Sequence, residues 1–218
     1  MYSAIVLAAG TGSRMGLGYN KMLYPLQGIP VMVRTVQKFK DDPACRQIIV
    51  VTDDITKASQ LLDGVQIVNG GKERQDSVYK GLLNVTEKLV LVHDGARPFV
   101  SQSMIDSLVE VASSGMAAIV GVPVKDTIKR LRPDKSVLET LKRDELYAVQ
   151  TPQAAPAELL RMVHEHAQKV GFLGTDEASL IEKFSQVPVQ IVEGAYTNIK
   201  LTTPEDLLLA ERLLQEGL

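Results

Sequence analysis

The chain has 218 residues, 45% of them hydrophobic and 23% charged, and its 24 basic against 26 acidic side chains leave a net charge of −2. At this length about 70% of the unfolded surface can be buried without disulfide or metal staples, and a charge so near zero excludes a broad positive field for nucleic acid or an anionic membrane, so phosphate recognition has to be local. The single cysteine, Cys45, excludes an internal disulfide framework and a cysteine-based zinc site, and it reads as a small apolar side chain in a reducing compartment.

The first element is a short apolar strand, Ala4-Ile5-Val6-Leu7, ended by small residues: Ala8-Ala9-Gly10-Thr11-Gly12-Ser13-Arg14-Met15-Gly16, running on to Lys21. Glycine accepts positive φ without steric cost, so successive amides can turn inward as an anion site, with Arg14 and Lys21 adding charge beside it. A P-loop does not fit, because no Gly-Lys-Ser/Thr follows. A dinucleotide fingerprint fits poorly, because Met15 stands at the third glycine position and 28–35 carries no carboxylate. The remaining readings are a loop for a nucleoside triphosphate under attack and a tight turn with two solvated cations. No cleavable signal precedes this strand and no apolar run approaches the roughly 20 residues of a membrane span, so a cytoplasmic protein is expected.

Further along, Pro30 opens a helix with Met32, Val36 and Phe39 on one face, 47–52 is a continuous apolar strand, 55–62 a helix and 65–68 a strand. Gly70-Gly71 leads through Lys72, Glu73, Arg74 and Gln75 into a helix expected to begin at Asp76-Ser77-Val78. A strand over 88–93, a helix over 103–113 and a strand over 117–122 continue the alternation. Apolar strands separated by amphipathic helices predict a Rossmann-like α/β fold, its mainly parallel sheet covered by helices on both faces. The rhythm breaks at 124–146, where two mixed-polarity segments flank Arg132-Pro133-Asp134-Lys135-Ser136, and a protruding β-hairpin arm is expected. Beyond it the sheet resumes at Tyr147-Ala148-Val149. Pro156 opens a helix, Thr175 and Asp176 cap another, 189–192 is a strand, and Thr203-Pro204-Glu205-Asp206 caps the last helix. With no repeat or linker, 1–218 reads as one domain carrying an arm.

Ligands of open α/β sheets bind outside the carboxyl ends of the strands. Five stretches are assigned there: the loop to Lys21, 70–77, His93-Asp94-Gly95-Ala96-Arg97-Pro98-Phe99, Gln150-Thr151-Pro152-Gln153 and Thr197-Asn198-Ile199-Lys200. His93 is expected to be a satisfied, half-buried strand residue. His164 and His166, two apart on a helix, are expected on its solvated surface.

Together, 8–15 with Lys21, Gly70-Gly71 with Arg74-Gln75-Asp76-Ser77-Val78, 93–99, Val149-Gln150-Thr151-Pro152-Gln153, Gly174-Thr175-Asp176-Glu177 and Asn198-Ile199-Lys200 resemble the 2-C-methyl-D-erythritol 4-phosphate cytidylyltransferase family over nearly the whole chain. The resemblance implies that Ala8, Ala9, Gly10, Gly12, Arg14 and Lys21 hold the triphosphate of CTP. It implies that Gly71, Arg74 and Ser77 frame the cytosine, with Ala96 and Arg97 completing the nucleotide pocket. Asp94, Thr127, Arg143, Thr151, Thr175 and Lys200 would receive the methylerythritol phosphate, and Arg14, Lys21 and Lys200 would act in catalysis. Magnesium would ride on the triphosphate, with no protein metal ligands assigned, and the arm would build a homodimer in which Arg143 helps complete the partner's site. Leu17-Gly18-Tyr19-Asn20 falls outside the family pattern and receives no role. Ribitol-5-phosphate cytidylyltransferases share much of this scaffold and are the alternative within the class. A non-catalytic nucleotide sensor is the alternative outside it, and a glycosyltransferase is disfavoured by the lack of an Asp-x-Asp motif.

Overall fold

The structure, a computed structural model, describes residues 1–10 and 18–218, so the expected loop residues Gly12 and Arg14 lie outside the described residues. The first strand, β1 (Tyr2–Leu7), is buried along its length. It pairs in parallel with β4 (Cys45–Thr52) on one side and β6 (Leu89–Asp94) on the other, and β4 pairs on with β5 (Gln66–Asn69). Two-residue strands β2 (Pro25–Leu26) and β3 (Ile29–Pro30) form a small separate hairpin. Past β6 the sheet continues through β10 (Tyr147–Pro156), β7 (Ala117–Pro123) and β11 (Val189–Glu193), giving the order β11-β7-β10-β6-β1-β4-β5.

Side chains alternate across the sheet because successive Cβ atoms point to opposite faces. On one face Tyr2, Ala4 and Val6 pack with Met32, Val36 and Phe39 of α1 (Val31–Lys40), Ala58 of α2 (Ile55–Leu61), Ile105 and Leu108 of α4 (Gln102–Ser113) and Leu207 of α7 (Pro204–Gln215). On the other, Ile5 and Leu7 pack with Val78 and Leu82 of α3 (Arg74–Leu82), Leu160 and Val163 of α5 (Ala157–Val170) and Leu180 of α6 (Glu177–Phe184). This is the doubly covered sheet that the continuous apolar strands call for. Among the described residues, no helix is long and apolar enough to cross a membrane.

Three details differ from expectation. Helix α3 begins at Arg74, because the Glu73 amide donates to Asp76 Oδ2 at 3.1 Å and makes Asp76 the third residue of the turn rather than its start. Asp176, not Thr175, is the cap of α6, accepting from the Ser179 amide at 2.9 Å. Strand β10 runs antiparallel to both β6 and β7, so Gln150-Thr151-Pro152-Gln153 lies within a strand and not beyond a strand's carboxyl end. The arm explains the reversal: the chain leaves β7, forms β8 (Lys129–Leu131) and β9 (Val137–Thr140), and returns directly beside β7, which short connections permit only antiparallel. The β8–β9 ribbon is exposed throughout, including Leu131, Val137 and Leu138.

The histidines divide. His166 is exposed and stacks on Phe184. His164, expected at the surface, is fully buried, because α5 packs on α3 as well as on the sheet and its inward stripe widens to Leu160, Val163, His164 and Ala167. Its ring stacks on Tyr79 with centroids 6.2 Å apart, and among the described residues neither ring nitrogen has a hydrogen-bond partner. His93 is also fully buried rather than half-buried.

Burial pushes both imidazoles from 6.5 down to about 4. Between those values the unfolded chain binds protons that the folded chain refuses, so stability falls as pH drops through this window. At pH 4.5 each histidine accounts for about 2 kcal/mol of loss relative to pH 7. His164→Phe keeps the stacking on Tyr79 and removes one titration. Urea unfolding at pH 7 and 4.5 should therefore show a smaller acid loss in the variant by about 2 kcal/mol; equal losses would show that His164 does not titrate on unfolding.

Candidate active site

Strand β6 ends in Asp94, whose carboxylate is largely buried at the rim of the sheet. Lys200 Nζ lies 2.6 Å from its Oδ2, Arg97 Nε 3.9 Å from the same oxygen, and Arg74 Nε 3.4 Å from Oδ1. Burial alone would raise this carboxyl. Arg74, Lys200 and Arg97 outweigh it and hold Asp94 well below the usual carboxylate range. The cations come from the start of α3, the turn after β6 and the segment after β11, so only the folded chain assembles them.

A neutral hydrogen-bond chain sets this carboxylate in place. His93 Nε2 faces the Arg97 carbonyl at 2.9 Å and must donate to it, which leaves Nδ1 as an acceptor for the Thr151 hydroxyl at 3.0 Å. Thr151 in turn accepts from the Asp94 amide at 3.0 Å. The antiparallel pairing, with Gln153 opposite Val92, brings Thr151 to the end of β6, where it meets Asp94. Thr151, expected to touch ligand, thus spends its one hydrogen on His93.

The segment after β11 is pinned by Asn198, fully buried, which donates from Nδ2 to Gln150 Oε1 at 3.1 Å and to the Thr151 carbonyl at 3.0 Å and accepts from Arg97 Nη1 on its own carbonyl at 2.6 Å. Two residues on, Lys200 reaches Asp94. The next residue, Leu201, donates its amide to the Ala96 carbonyl at 2.9 Å and accepts from Lys21 Nζ at 2.7 Å. Lys21 and Lys200, 179 positions apart in the chain, are thereby brought to neighbouring points of one wall. Asn20, to which the sequence assigned no role, holds Lys21 in its turn by accepting from the Met22 amide at 3.0 Å and donating to the Ala8 carbonyl at 3.3 Å.

Beside this cluster lies a cavity of about 190 Å³ lined by Ala9, Gly10, Asp53, Gly71, Arg74 and Ser77 among others. Gly10 has φ +110°, the left-handed side that glycine tolerates, and its amide donates to Asp53 Oδ2 at 2.8 Å. Ser77 accepts from the Gly71 amide at 2.9 Å. Of the residues expected to meet the nucleotide, Ala9, Gly10, Gly71, Arg74 and Ser77 line this hollow, whereas Ala8, Lys21, Ala96 and Arg97 do not. Among the described residues, no group of three His, Cys, Asp or Glu is placed to hold a metal.

The remaining expected residues stand apart. Thr127 is exposed, and Arg143 donates to the Lys125 carbonyl at 2.9 Å, bordering an opening of about 530 Å³ with Lys125, Asp144 and Tyr147. Neither makes a hydrogen bond or ion pair to the Asp94 cluster. Thr175 is exposed just before α6, with its hydroxyl 3.4 Å from Asp176 Oδ1. Asp53 and Glu177 were given no role from sequence. Asp53 carried a usable signal, a carboxylate just past a buried strand, whereas Glu177 resembles an ordinary first-turn acid and its burial is invisible without the fold.

The comparisons with known proteins agree along the whole chain. The family model described as 2-C-methyl-D-erythritol 4-phosphate cytidylyltransferase matches residues 2–216. Proteins of that name from Shouchella clausii and Bacillus velezensis are 50% and 48% identical, covering 99% and 98% of this chain and 97% and 96% of their own. Among solved structures, the 4-diphosphocytidyl-2C-methyl-D-erythritol synthase of Anaerococcus prevotii superposes with TM-score 0.89 at 33% identity, covering 99% of this chain and 96% of its own. The 2-C-methyl-D-erythritol 4-phosphate cytidylyltransferase of Thermus thermophilus gives 0.84 at 32%, covering 99% and 100%.

Gly71 tests how tightly the hollow's wall is built. A Cβ there would lie 2.3 Å from Asp76 Cβ and 2.8 Å from the Asp76 backbone carbon, so the start of α3 would have to move. Gly71→Ala should destabilise the fold by about 1–3 kcal/mol, as overpacked sites do. A thermal melt superimposable on wild type would mean that the loop absorbs the methyl without displacing α3.

Proposed function

The chain belongs to the 2-C-methyl-D-erythritol 4-phosphate cytidylyltransferase family, and from that premise we propose how its own residues carry the reaction. The enzyme is a nucleotidyltransferase: it moves CMP from CTP to 2-C-methyl-D-erythritol 4-phosphate in the non-mevalonate isoprenoid route, forming 4-diphosphocytidyl-2-C-methyl-D-erythritol and pyrophosphate. Ribitol 5-phosphate as acceptor is not favoured by the relatives. Both substrates are polyanions that do not cross a bilayer unaided, which supports a cytoplasmic location.

The observation that carries the assignment of roles is the convergence of Lys200, Arg97 and Arg74 on Asp94, beside the hollow between Gly10 and Gly71. In our reading the triphosphate lies along Ala8, Ala9 and Gly10, continued by Gly12 and Arg14. Cytosine enters the hollow against Gly71, Arg74 and Ser77, and Ala96 and Arg97 flank the sugar. Among the described residues, Arg97 Nε is buried without a hydrogen-bond partner, a donor left for a bound group to take. Asp94, Thr175 and Lys200 meet the acceptor, while Thr151 sets Asp94 in place.

An oxygen of the acceptor's phosphate attacks the α-phosphorus in line, the new P–O bond forms, and the bond to the departing pyrophosphate breaks. The nucleophile is already anionic near neutral pH, so no protein base is required. Catalysis reduces to holding two anions together and stabilising charge on the crowded phosphorus. Lys21 and Lys200, adjacent through Leu201, supply that charge together with Arg14. Nucleotidyltransferases of this kind generally use a metal ion, and magnesium would be held by the triphosphate oxygens, since Asp94 is taken up by cations. Bound there, it would withdraw charge from the reacting phosphate.

Residues 1–218 would form one domain, with 124–146 as a dimerisation arm. The exposed Leu131, Val137 and Leu138 support this, because an isolated two-stranded ribbon is marginal in water and leaves such side chains uncovered. Thr127 and Arg143 would then serve the partner's acceptor site, with the planar guanidinium gripping the phosphate through two bonds.

Lys200→Ala should lower the rate of pyrophosphate release from CTP and methylerythritol phosphate about a hundredfold, the loss of about 3 kcal/mol of transition-state stabilisation, while leaving CTP affinity nearly unchanged. Turnover within twofold of wild type would remove Lys200 from the mechanism. When Lys21→Ala and Arg143→Ala subunits, each nearly inactive alone, are mixed, each mixed dimer should regain about one intact site in two if arms are exchanged. No recovery after subunit exchange verified by mass would place Arg143 with its own chain.

A further inference from the structure

Glu177 is 2% exposed, and a carboxylate so deeply placed needs a partner to stay charged. That partner is Arg74: Nη1 donates to Oε1 at 2.8 Å and Nη2 to Oε2 at 3.1 Å, a two-pronged pairing that fixes the guanidinium plane as well as its position. The remaining edge of the same group faces Asp94 through Nε at 3.4 Å. Among the described residues, three of the five N–H bonds of the guanidinium are therefore spoken for, and two are left on a side chain that lines the 190 Å³ hollow.

The turn that carries Glu177 is itself held to the sheet. Gln153 donates to Asp176 Oδ2 at 2.8 Å and accepts from the Ala178 amide at 3.1 Å, clamping the first turn of α6 from both sides of Glu177. Gln75, next to Arg74, donates to the Phe172 carbonyl at 3.1 Å and accepts from the Gly174 amide at 2.8 Å. The start of α3 is thus joined to 172–177 by four hydrogen bonds across about one hundred residues of sequence, two from Arg74 and two from Gln75.

We propose that Glu177 is a positioning residue for the transfer reaction: it holds Arg74 in the plane that presents its free N–H groups to the nucleotide and keeps it from closing onto Asp94. The proposal rests on the reading of Arg74 as a nucleotide-pocket residue. Without Glu177, the remaining carboxylate beside Arg74 is Asp94, and a guanidinium that pairs fully with Asp94 displaces Lys200 from its 2.6 Å contact. Charge and position predict different outcomes. Loss of a buried negative charge next to a polyanion site would, by field alone, tighten CTP binding, whereas loss of position slows turnover.

The test compares Glu177→Gln, Arg74→Gln and the double variant, measuring CTP binding by calorimetry without acceptor and turnover by pyrophosphate release, each corrected for folded fraction by circular dichroism. Glu177→Gln should bind CTP at least threefold more weakly than wild type, because Arg74 no longer presents its N–H groups to the nucleotide, and turn over at least tenfold more slowly. The double variant should be no slower than Arg74→Gln alone, because Glu177 acts through Arg74. Turnover of Glu177→Gln within twofold of wild type, or losses that multiply in the double variant, would overturn the positioning role while leaving Arg74 in the pocket. Arg74→Gln with wild-type CTP binding and turnover would instead overturn the placement of Arg74, and the proposal with it.

Discussion

A carboxylate sunk at the end of a central strand is the constraint on which the rest of this site depends. Taking Asp94 out of water costs several kcal/mol unless cations and hydrogen bonds replace the lost hydration. Arg74, Arg97 and Lys200 do so, and each has to be delivered by a different part of the chain. Buried ion pairs of this kind add little net stability over a well-packed apolar alternative, but removal of one partner strands the others. The cluster therefore contributes mainly by admitting a single arrangement of α3, the turn after β6 and the segment after β11.

Neutral groups complete what the charges begin. His93, kept uncharged by burial, is locked between the Arg97 carbonyl and the Thr151 hydroxyl, and Thr151 accepts the Asp94 amide. A protonated imidazole there could not accept from Thr151, so the chain of donors works only with the neutral ring. Asn198 performs the same service for the carboxyl-terminal side, binding β10 and Arg97 at once. Such networks are stiff because any displaced member leaves a further buried group unpaired.

Much of the architecture was legible from the chain alone. Short continuous apolar runs marked β1, β4, β6 and β7, and Thr203-Pro204 with Asp206 marked the last helix, because such runs and helix caps are decided within a few residues. The arm was legible for the same local reason, in the mixed polarity around Pro133. The glycine loop, Asp94, Arg97 and Lys200 stood out as small or charged residues next to buried strands.

What sequence could not supply was decided by contacts across long separations. The antiparallel sense of β10 depends on where the chain re-enters the sheet after the arm, and it alone brings Thr151 level with Asp94. His164 and His166 have identical local signals; the packing of α3 on α5 buries one and leaves the other in water. Glu177 reads as a helix-start acid because helix dipoles favour one there, and only the juxtaposition of two helix starts reveals it as the anchor of Arg74. Local propensity determined the elements and the chemical inventory; tertiary packing decided which charges meet, because an ion pair's strength depends on burial and distance, and neither is a property of neighbours in sequence.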